Sequence, residues 1–215
     1  MYKLHSFCQS GNSYKAALML DLLGQPWEPV LVDFFQGQTR TAQYREDVNE
    51  MGEAPVLEDG DLRLTQSGVI LTHLARKHGR FGGEGEAQQR EVLRWLLYDN
   101  HKFTSYFATY RFLYSLADGP PDPAVMNFLR ARFEVPFGIV DKHLQKSDFM
   151  VGNSPTIADF SLCGYLFHPP EESGYDVRAK HPAMARWLHR IQALPGWRGP
   201  YENMPGERIA PKPRT

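Results

Sequence analysis

The stretch from Glu53 to Ser67 constrains this chain most. Asp59-Gly60 stands between two short runs of β-type pattern, Val56-Leu57 before it and Leu62 to Leu64 after it. In that setting Asp-Gly predicts a two-residue type I′ hairpin, because both central residues of such a turn need positive φ. Pro55 opens the first strand. It has no N–H for a ladder, so it belongs at a strand start, at an edge, or in a cis turn. Behind the second strand, Gln66-Ser67 precedes the apolar run Val69-Ile70-Leu71, with Leu74 and Ala75 one turn on. That pattern predicts a helix with serine as its N-cap. The free amides and positive dipole end of such a helix favour a bound carboxylate.

The flanking segments supply the rest of a small α/β layer. Tyr2 to Phe7 reads as a strand and Cys8 to Asn12 as a turn. Ser13 to Leu23 reads as a helix with the stripe Ala16, Ala17, Met19, Leu20 and Leu23, closed by Gly24. Trp27 to Phe34 is a second strand whose near-continuous apolar run suits a buried parallel strand. Gln36 to Asn49 is polar, a loop with a short helix, and Ser67 to His78 completes a β-α-β-α-β-β-α order. Gly79 to Gly85, with Gly82 and Gly83, reads as a linker. The domains expected are therefore 1–79 and 87–215, joined by 80–86. Beyond the linker the pattern is helical. Glu86 to Leu116 reads as one long helix, with Val92, Leu93, Leu96, Leu97, Asn100, Phe103, Phe107 and Tyr110 at three-and-four spacing. Ala124 to Leu144 is a second, kinked at Pro136. Thr156-Ile157-Ala158-Asp159 has capping-box spacing and opens a third, and Ala183 to Leu194 forms a fourth. The tail from Gly199, rich in proline and basic residues, is expected to be poorly fixed.

Composition narrows the function classes. A net charge of −1 gives no general attraction to nucleic acid or anionic membrane. No apolar run approaches the roughly 18 residues of a membrane span, and the N-terminus lacks the pattern of a signal peptide. The two cysteines, Cys8 and Cys163, lie far apart. They suit a reducing cytoplasm and argue against a disulfide framework or a zinc site. Cys163 lies in an apolar helix and reads as core. His73 and His78 are off the i,i+4 face that helical metal ligation needs.

Ala54-Pro55-Val56-Leu57, the hairpin, then Gln66-Ser67 and an apolar helix resemble the glutathione-binding half of glutathione S-transferases. The element order of residues 1–79 resembles the thioredoxin-like fold. The resemblance implies an α/β thioredoxin-like N-terminal domain followed by an all-α C-terminal domain. It implies that Pro55 is cis, that the Val56 backbone pairs with the cysteinyl part of glutathione, and that Gln66 and Ser67 hold its γ-glutamyl end. The family's activating residue lies in the loop after the first strand. Counting back from Gly24 puts the serine of the theta-like class and the cysteine of the omega-like class on Ser10, and the cysteine of the beta-like class on Asn12. Ser10-Gly11-Asn12 is also similar to the Thr-Pro-Asn stretch of a bacterial subgroup with glutathione-disulfide activity. Ser10, then Asn12, then Ser13 are the candidates to steady the sulfur, because thiolate is the nucleophile and each side chain can donate a hydrogen bond. Ordinary turn and N-cap chemistry is the competing role for all three. Cys8 falls two residues too early in this count and reads as a small buried residue.

The other end of glutathione needs a cation or amide from the loop after the second strand, where Gln38 and Arg40 stand. Tyr98, His101, Lys102, Tyr106 and Tyr110 lie near one face of the long helix, as pocket lining or as core. The chain departs from the animal alpha, mu and pi classes, having Phe7 and Cys8 near the position of their first-strand tyrosine. Asn49-Glu50-Met51-Gly52 replaces the family's Asn-Pro before the hairpin. Thr156 to Asp159 resembles the capping box of the family's helical domain, whose role is folding. The resemblance thus implies a cytoplasmic, homodimeric glutathione transferase that conjugates the glutathione thiolate to an electrophilic small molecule, with glutathione as co-substrate and no metal or nucleic acid. A glutathione-dependent disulfide reductase, a maleylacetoacetate-type isomerase and a non-catalytic glutathione-transferase-like binding protein are the alternatives.

Overall fold

The computed structural model describes residues 1–211. Its sheet has four strands in the order β2-β1-β3-β4, with β1 at Tyr2–Ser6, β2 at Trp27–Leu31, β3 at Val56–Asp59 and β4 at Leu62–Thr65. β1 and β2 are parallel, and β3 is antiparallel to both β1 and β4. The register sets His5 opposite Val56, and Val56 opposite Thr65. The exit of β1, the entry of β3 and the exit of β4 therefore meet at one end of the sheet. Helices α1 (Gly11–Leu22), α2 (Ala42–Asp47) and α3 (Ser67–His78) complete this layer.

Two local expectations are corrected. β2 is the sheet's outer strand, not a buried one: Leu31 is 53% exposed. Pro29, which has no N–H to offer an outer neighbour, fits that edge. The hairpin turn falls on Gly60-Asp61 rather than Asp59-Gly60, since Asp59 pairs with Leu62 as the last residue of β3. Gly60 has φ +62° and Asp61 is not among the positive-φ residues, so the turn is not type I′. Asp59 is held in the strand by α3, where Lys77 Nζ at 2.6 Å and His73 Nε2 at 2.8 Å reach its carboxylate.

The helical region begins with α4 (Gly85–Tyr98). It runs on through a π-turn at Asp99–Phe103, α5 (Thr104–Arg111) and a second π-turn at Phe112–Leu116. This is the long helix expected from the spacing of its apolar residues. Then come α6 (Pro123–Leu144, with Pro136 inside it), α7 (Ile157–Cys163), α8 (Val177–Lys180), α9 (Pro182–Gln192) and α10 (Pro200–Asn203). Every residue of α7 is buried, and α7 packs against α1, α3 and α4. The reach-back half of its capping box forms: Asp159 Oδ2 accepts from the Thr156 N–H at 2.8 Å, while the Thr156 hydroxyl donates to the same oxygen at 3.0 Å instead of accepting from the Asp159 amide, which bonds Thr156 O. Asp159 Oδ1 also accepts from Met150 N and from Trp187 Nε1, each at 2.8 Å. Burial still pushes its carboxyl above the usual range.

α1 has no solvent face, and even Lys15 is fully buried. Lys15 Nζ donates to Asp99 Oδ2 at 2.6 Å, in the first π-turn of the long helix. Ser161 of α7 donates to the same oxygen at 2.5 Å, and Thr104 bonds the other. The pair joins the sheet layer to the helical layer.

The tail is not loose as far as residue 211. The Cys8 amide donates to Pro205 O at 2.9 Å, Gln9 Nε2 donates to Glu207 O at 2.7 Å, and Arg208 Nε meets Glu172 Oε1 at 2.9 Å. Proline and arginine serve there as docking groups; the rest of the tail lies outside the described residues.

Two stability changes are expected. Thr156→Ala should lower unfolding free energy by about 1 kcal/mol, and an unchanged denaturation midpoint would contradict its capping role. Lys15→Met should cost about 3–5 kcal/mol, because it strands a buried carboxylate. A loss of under about 1 kcal/mol in urea unfolding, the range of surface pairs, would show that the pair does not hold the layers together.

Candidate active site

Three main-chain corners meet at the shared end of the sheet. The first is the start of α3. Ser67 is not the N-cap expected from its position before an apolar run. It is the first helical residue, 5% exposed, and Gln66 caps with φ +66° and ψ 117° and no side-chain cap bond. The chain must turn sharply out of β4, and Gln66 takes up that turn. Positive φ in a non-glycine residue costs about 1–3 kcal/mol and persists only where its surroundings enforce it. The Val69 and Ile70 amides bond back to Gln66 O, which leaves the Ser67 and Gly68 amides as orphan donors at the helix's positive end. The Gln66 side chain is exposed and donates to Glu53 Oε2 at 2.9 Å.

The second corner is the entry to β3. The Ala54–Pro55 bond is cis. Val56 is already inside the sheet, with His5 on one side and Thr65 on the other, and its side chain is fully buried. The unpaired main chain here belongs to Ala54, whose N–H and C=O make no hydrogen bond among the described residues. A strand that begins at Val56 behind a proline leaves its last open peptide one residue earlier, a signal readable from Pro55 itself.

The third corner is the start of α1. Ser10 is its N-cap, 5% exposed, and Ser10 Oγ accepts from the Ser13 amide at 3.0 Å. That bond uses an acceptor site and leaves the hydroxyl proton to give. Asn12 is half-buried and its Oδ1 has no partner among the described residues. Ser13 is fully buried, which removes it from contact with any guest that does not displace the turn. Cys8 is buried beneath the tail, with Sγ 3.5 Å from Glu207 O, and burial pushes its thiol up.

The remaining candidates are more dispersed. Gln38 is exposed and its Oε1 accepts from the Asp33 amide at 2.7 Å, so half of its side chain serves its own loop. Arg40 is exposed. Tyr110 is in the aromatic core with Phe107 and Phe133, Tyr98 packs edge-on to Trp95, and Tyr106 takes a 3.1 Å bond from Arg132 of α6. The stripe therefore mainly packs helices.

Sequence reasoning missed the groups that pin the Cys8–Ser10 turn from the helical side. Arg111 Nη1 donates to Gln9 O at 2.8 Å, while its other nitrogens pair with the fully buried Glu172. His168 Nε2 donates to Cys8 O at 3.0 Å, and burial holds that imidazole well below its ordinary pKa, hence neutral. Tyr201 and Arg208 close the cluster on Glu172. The one sequence signal was a lone arginine within the apolar stripe of the long helix.

Comparison with known proteins places this architecture. The family profile "Glutathione S-transferase, N-terminal domain" matches residues 4–85, and "Glutathione S-transferase, C-terminal domain" matches residues 103–195. The chain is 28% identical over 208 residues to Glutathione S-transferase F14 of Arabidopsis thaliana, covering 91% of this chain and 80% of that protein. It is 32% identical to a glutathione S-transferase of known structure from Pseudomonas fluorescens, with a TM-score of 0.83 over 93% of this chain and 98% of that one. The same fold recurs at 22% identity, with a TM-score of 0.81 over 91% of this chain and 92% of the other. That structure is the glutathione transferase URE2P6 of Phanerochaete chrysosporium in complex with oxidized glutathione.

The third corner makes a geometric prediction. A Cβ on Gly11 would fall 2.6 Å from Tyr165 Cε2 and closer still to two other ring atoms. Gly11→Ala should therefore destabilise the protein by about 1–3 kcal/mol. An alanine accepted there with no change in melting temperature would contradict this close approach.

Proposed function

The chain belongs to the glutathione S-transferase family, and on that premise we propose that it conjugates the thiolate of glutathione to a small electrophile. One observation carries the reading: the uncapped start of α3, the open peptide at Ala54 and the Ser10 cap of α1 share one end of the sheet. A γ-glutamyl carboxylate fits the orphan amides of Ser67 and Gly68, with Gln66 and the Ser67 hydroxyl beside them. The cysteinyl peptide pairs in strand fashion along Ala54-Pro55-Val56, with Ala54 supplying the free groups. Gln38, through its remaining amide N–H, is assigned to the glycine end. The relative crystallised with oxidized glutathione supports glutathione as the co-substrate.

Ser10 is assigned the sulfur. Its oxygen already accepts from the Ser13 amide, and an accepting hydroxyl becomes a stronger donor. Its proton and the positive end of α1 favour S⁻ over SH, and S⁻ is the attacking form. Asn12 is the second donor through its side-chain amide. Cys8, buried and with its thiol raised, takes no part.

The reading includes a cytoplasmic homodimer. A groove of about 710 Å³ between α3 and α4 opens beside Gln66, and Val69, Leu93 and Leu97 on it are 51%, 55% and 62% exposed. A second copy covering that face would remove these side chains from water.

Glutathione titration by calorimetry and turnover of a haloarene test the assignment. Ser10→Ala should cut kcat by about 10²–10³-fold, the range for one lost donor at developing negative charge, with glutathione affinity little changed. Undiminished turnover would remove Ser10 from the chemistry. Turnover of a mixed glutathione disulfide without turnover of the haloarene would instead assign the reductase reaction. Absence of glutathione binding would leave only a scaffold role.

A further inference from the structure

Glu53 stands between two of the three corners, and its carboxylate has no task in the assignment so far. It directly precedes Ala54, whose peptide is open, and its side chain crosses to the corner at the start of α3. There Glu53 Oε2 accepts from Gln66 Nε2 at 2.9 Å, and the same nitrogen lies 3.3 Å from Met51 Sδ. The nearby cations are engaged elsewhere. Arg45 Nη1 donates to Glu50 O at 3.3 Å, Arg63 bonds Asp47 O, and Lys77 Nζ holds Asp59. Glu53 makes no ion pair among the described residues, so the amide of Gln66 is its one recorded side-chain partner.

The place of that carboxylate is fixed from below. The Glu53 carbonyl accepts from the Tyr44 hydroxyl at 3.0 Å and from Asn49 Nδ2 at 2.8 Å. Tyr44 and Asn49 are both buried, at 3% and 5% exposure. Gly52 turns the chain just before Glu53 with φ +67°, and the cis bond at Ala54–Pro55 turns it again just after. A carbonyl clamped between two such turns sets the direction in which the side chain leaves the main chain.

The γ-glutamyl end of glutathione carries an α-carboxylate and an α-ammonium on one carbon. The orphan amides of Ser67 and Gly68 suit the anion, and the positive end of α3 disfavours the cation. Gln66 is neutral and offers no counter-charge. With its Nε2 donated to Glu53, its Oε1 is the atom left to accept. An ammonium beside Gln66 therefore meets one neutral acceptor and one carboxylate, and the bond to the carboxylate is the charge-assisted one.

We propose that Glu53 is the counter-ion of the γ-glutamyl ammonium, and that it restricts the site to thiols with a free α-amino group at that end. The proposal rests on the glutathione reading above. The competing role is structural: the same bond would only brace Gln66 in its positive-φ conformation.

Glu53→Gln separates the two roles, because a glutamine still accepts from Gln66 and lacks only the charge. The probes are glutathione and its desamino analogue, in which hydrogen replaces the α-amino group. Each is titrated by calorimetry into the full-length protein near pH 7. The parent should bind glutathione about tenfold more tightly than the analogue, as expected for one hydrogen bond to a charged group. Glu53→Gln should bind glutathione about tenfold more weakly than the parent does, and the analogue no more weakly, so that the preference disappears. The ratio of the two affinities is read on one protein, so a general loss of stability leaves it unchanged. A parent with equal affinity for the two ligands would overturn the proposal and leave the glutathione reading standing. So would a Glu53→Gln protein weakened equally toward both, which would assign Glu53 to bracing Gln66. A parent that binds neither ligand would overturn both readings together.

Discussion

The ion pair between Lys15 and Asp99 is the contact on which the arrangement of this molecule depends. Both groups are fully out of water, so each needs the other, and Ser161 and Thr104 complete the shell around the carboxylate. A charge buried in the middle of α1 fixes both the rotation and the height of that helix against the long helix of the other layer. The start of α1 is the point where the chemistry is assigned, so its position is decided from the helical side. The Cys8–Ser10 turn repeats the pattern. Arg111, His168 and the tail at Pro205 and Glu207 hold its main chain, and none of these belongs to the sheet layer.

The sheet supplies the complementary half of the site. The pairing of His5, Val56 and Thr65 brings three chain ends level. One end leads into α1, one arrives from the cis peptide at Ala54–Pro55, and one leads into α3 through the positive φ of Gln66. Each corner leaves polar main-chain groups unpaired where an extended peptide could meet them. A ligand with a carboxylate, a peptide edge and a thiol in that order suits three corners of this kind. Main-chain groups are what these corners offer, which is why residues as ordinary as Ala54 and Ser67 carry so much of the assignment.

What could be read from the sequence was local. Pro55 at a strand start, the three-and-four spacing of the long helix, and the Thr156–Asp159 box each rest on near neighbours in the chain, whereas at Gln66-Ser67 the helix start was readable but the capping residue was not. Errors arose where distant residues decide. The hairpin turn is shifted by a residue because Lys77 and His73, in the following helix, draw Asp59 into the strand. β2 has an interior composition but an edge position, and strand order is not written in any one strand. Nothing local pairs Lys15 of α1 with Asp99, 84 residues further along the chain. Tyr165 meets Gly11 only because Gly164 lets α7 approach α1, a contact between positions some 150 residues apart. The tail had the composition of a loose end, yet Arg208 finds a buried partner in Glu172.

The most direct measurement is a crystal structure of the protein with glutathione bound. The account predicts the tripeptide extended across the end of the sheet, its γ-glutamyl carboxylate on the Ser67 amide, its cysteinyl main chain against Ala54, and its sulfur within hydrogen-bond reach of Ser10 Oγ. Glutathione bound elsewhere, or seated at Ser67 with its sulfur turned away from the start of α1, would contradict it.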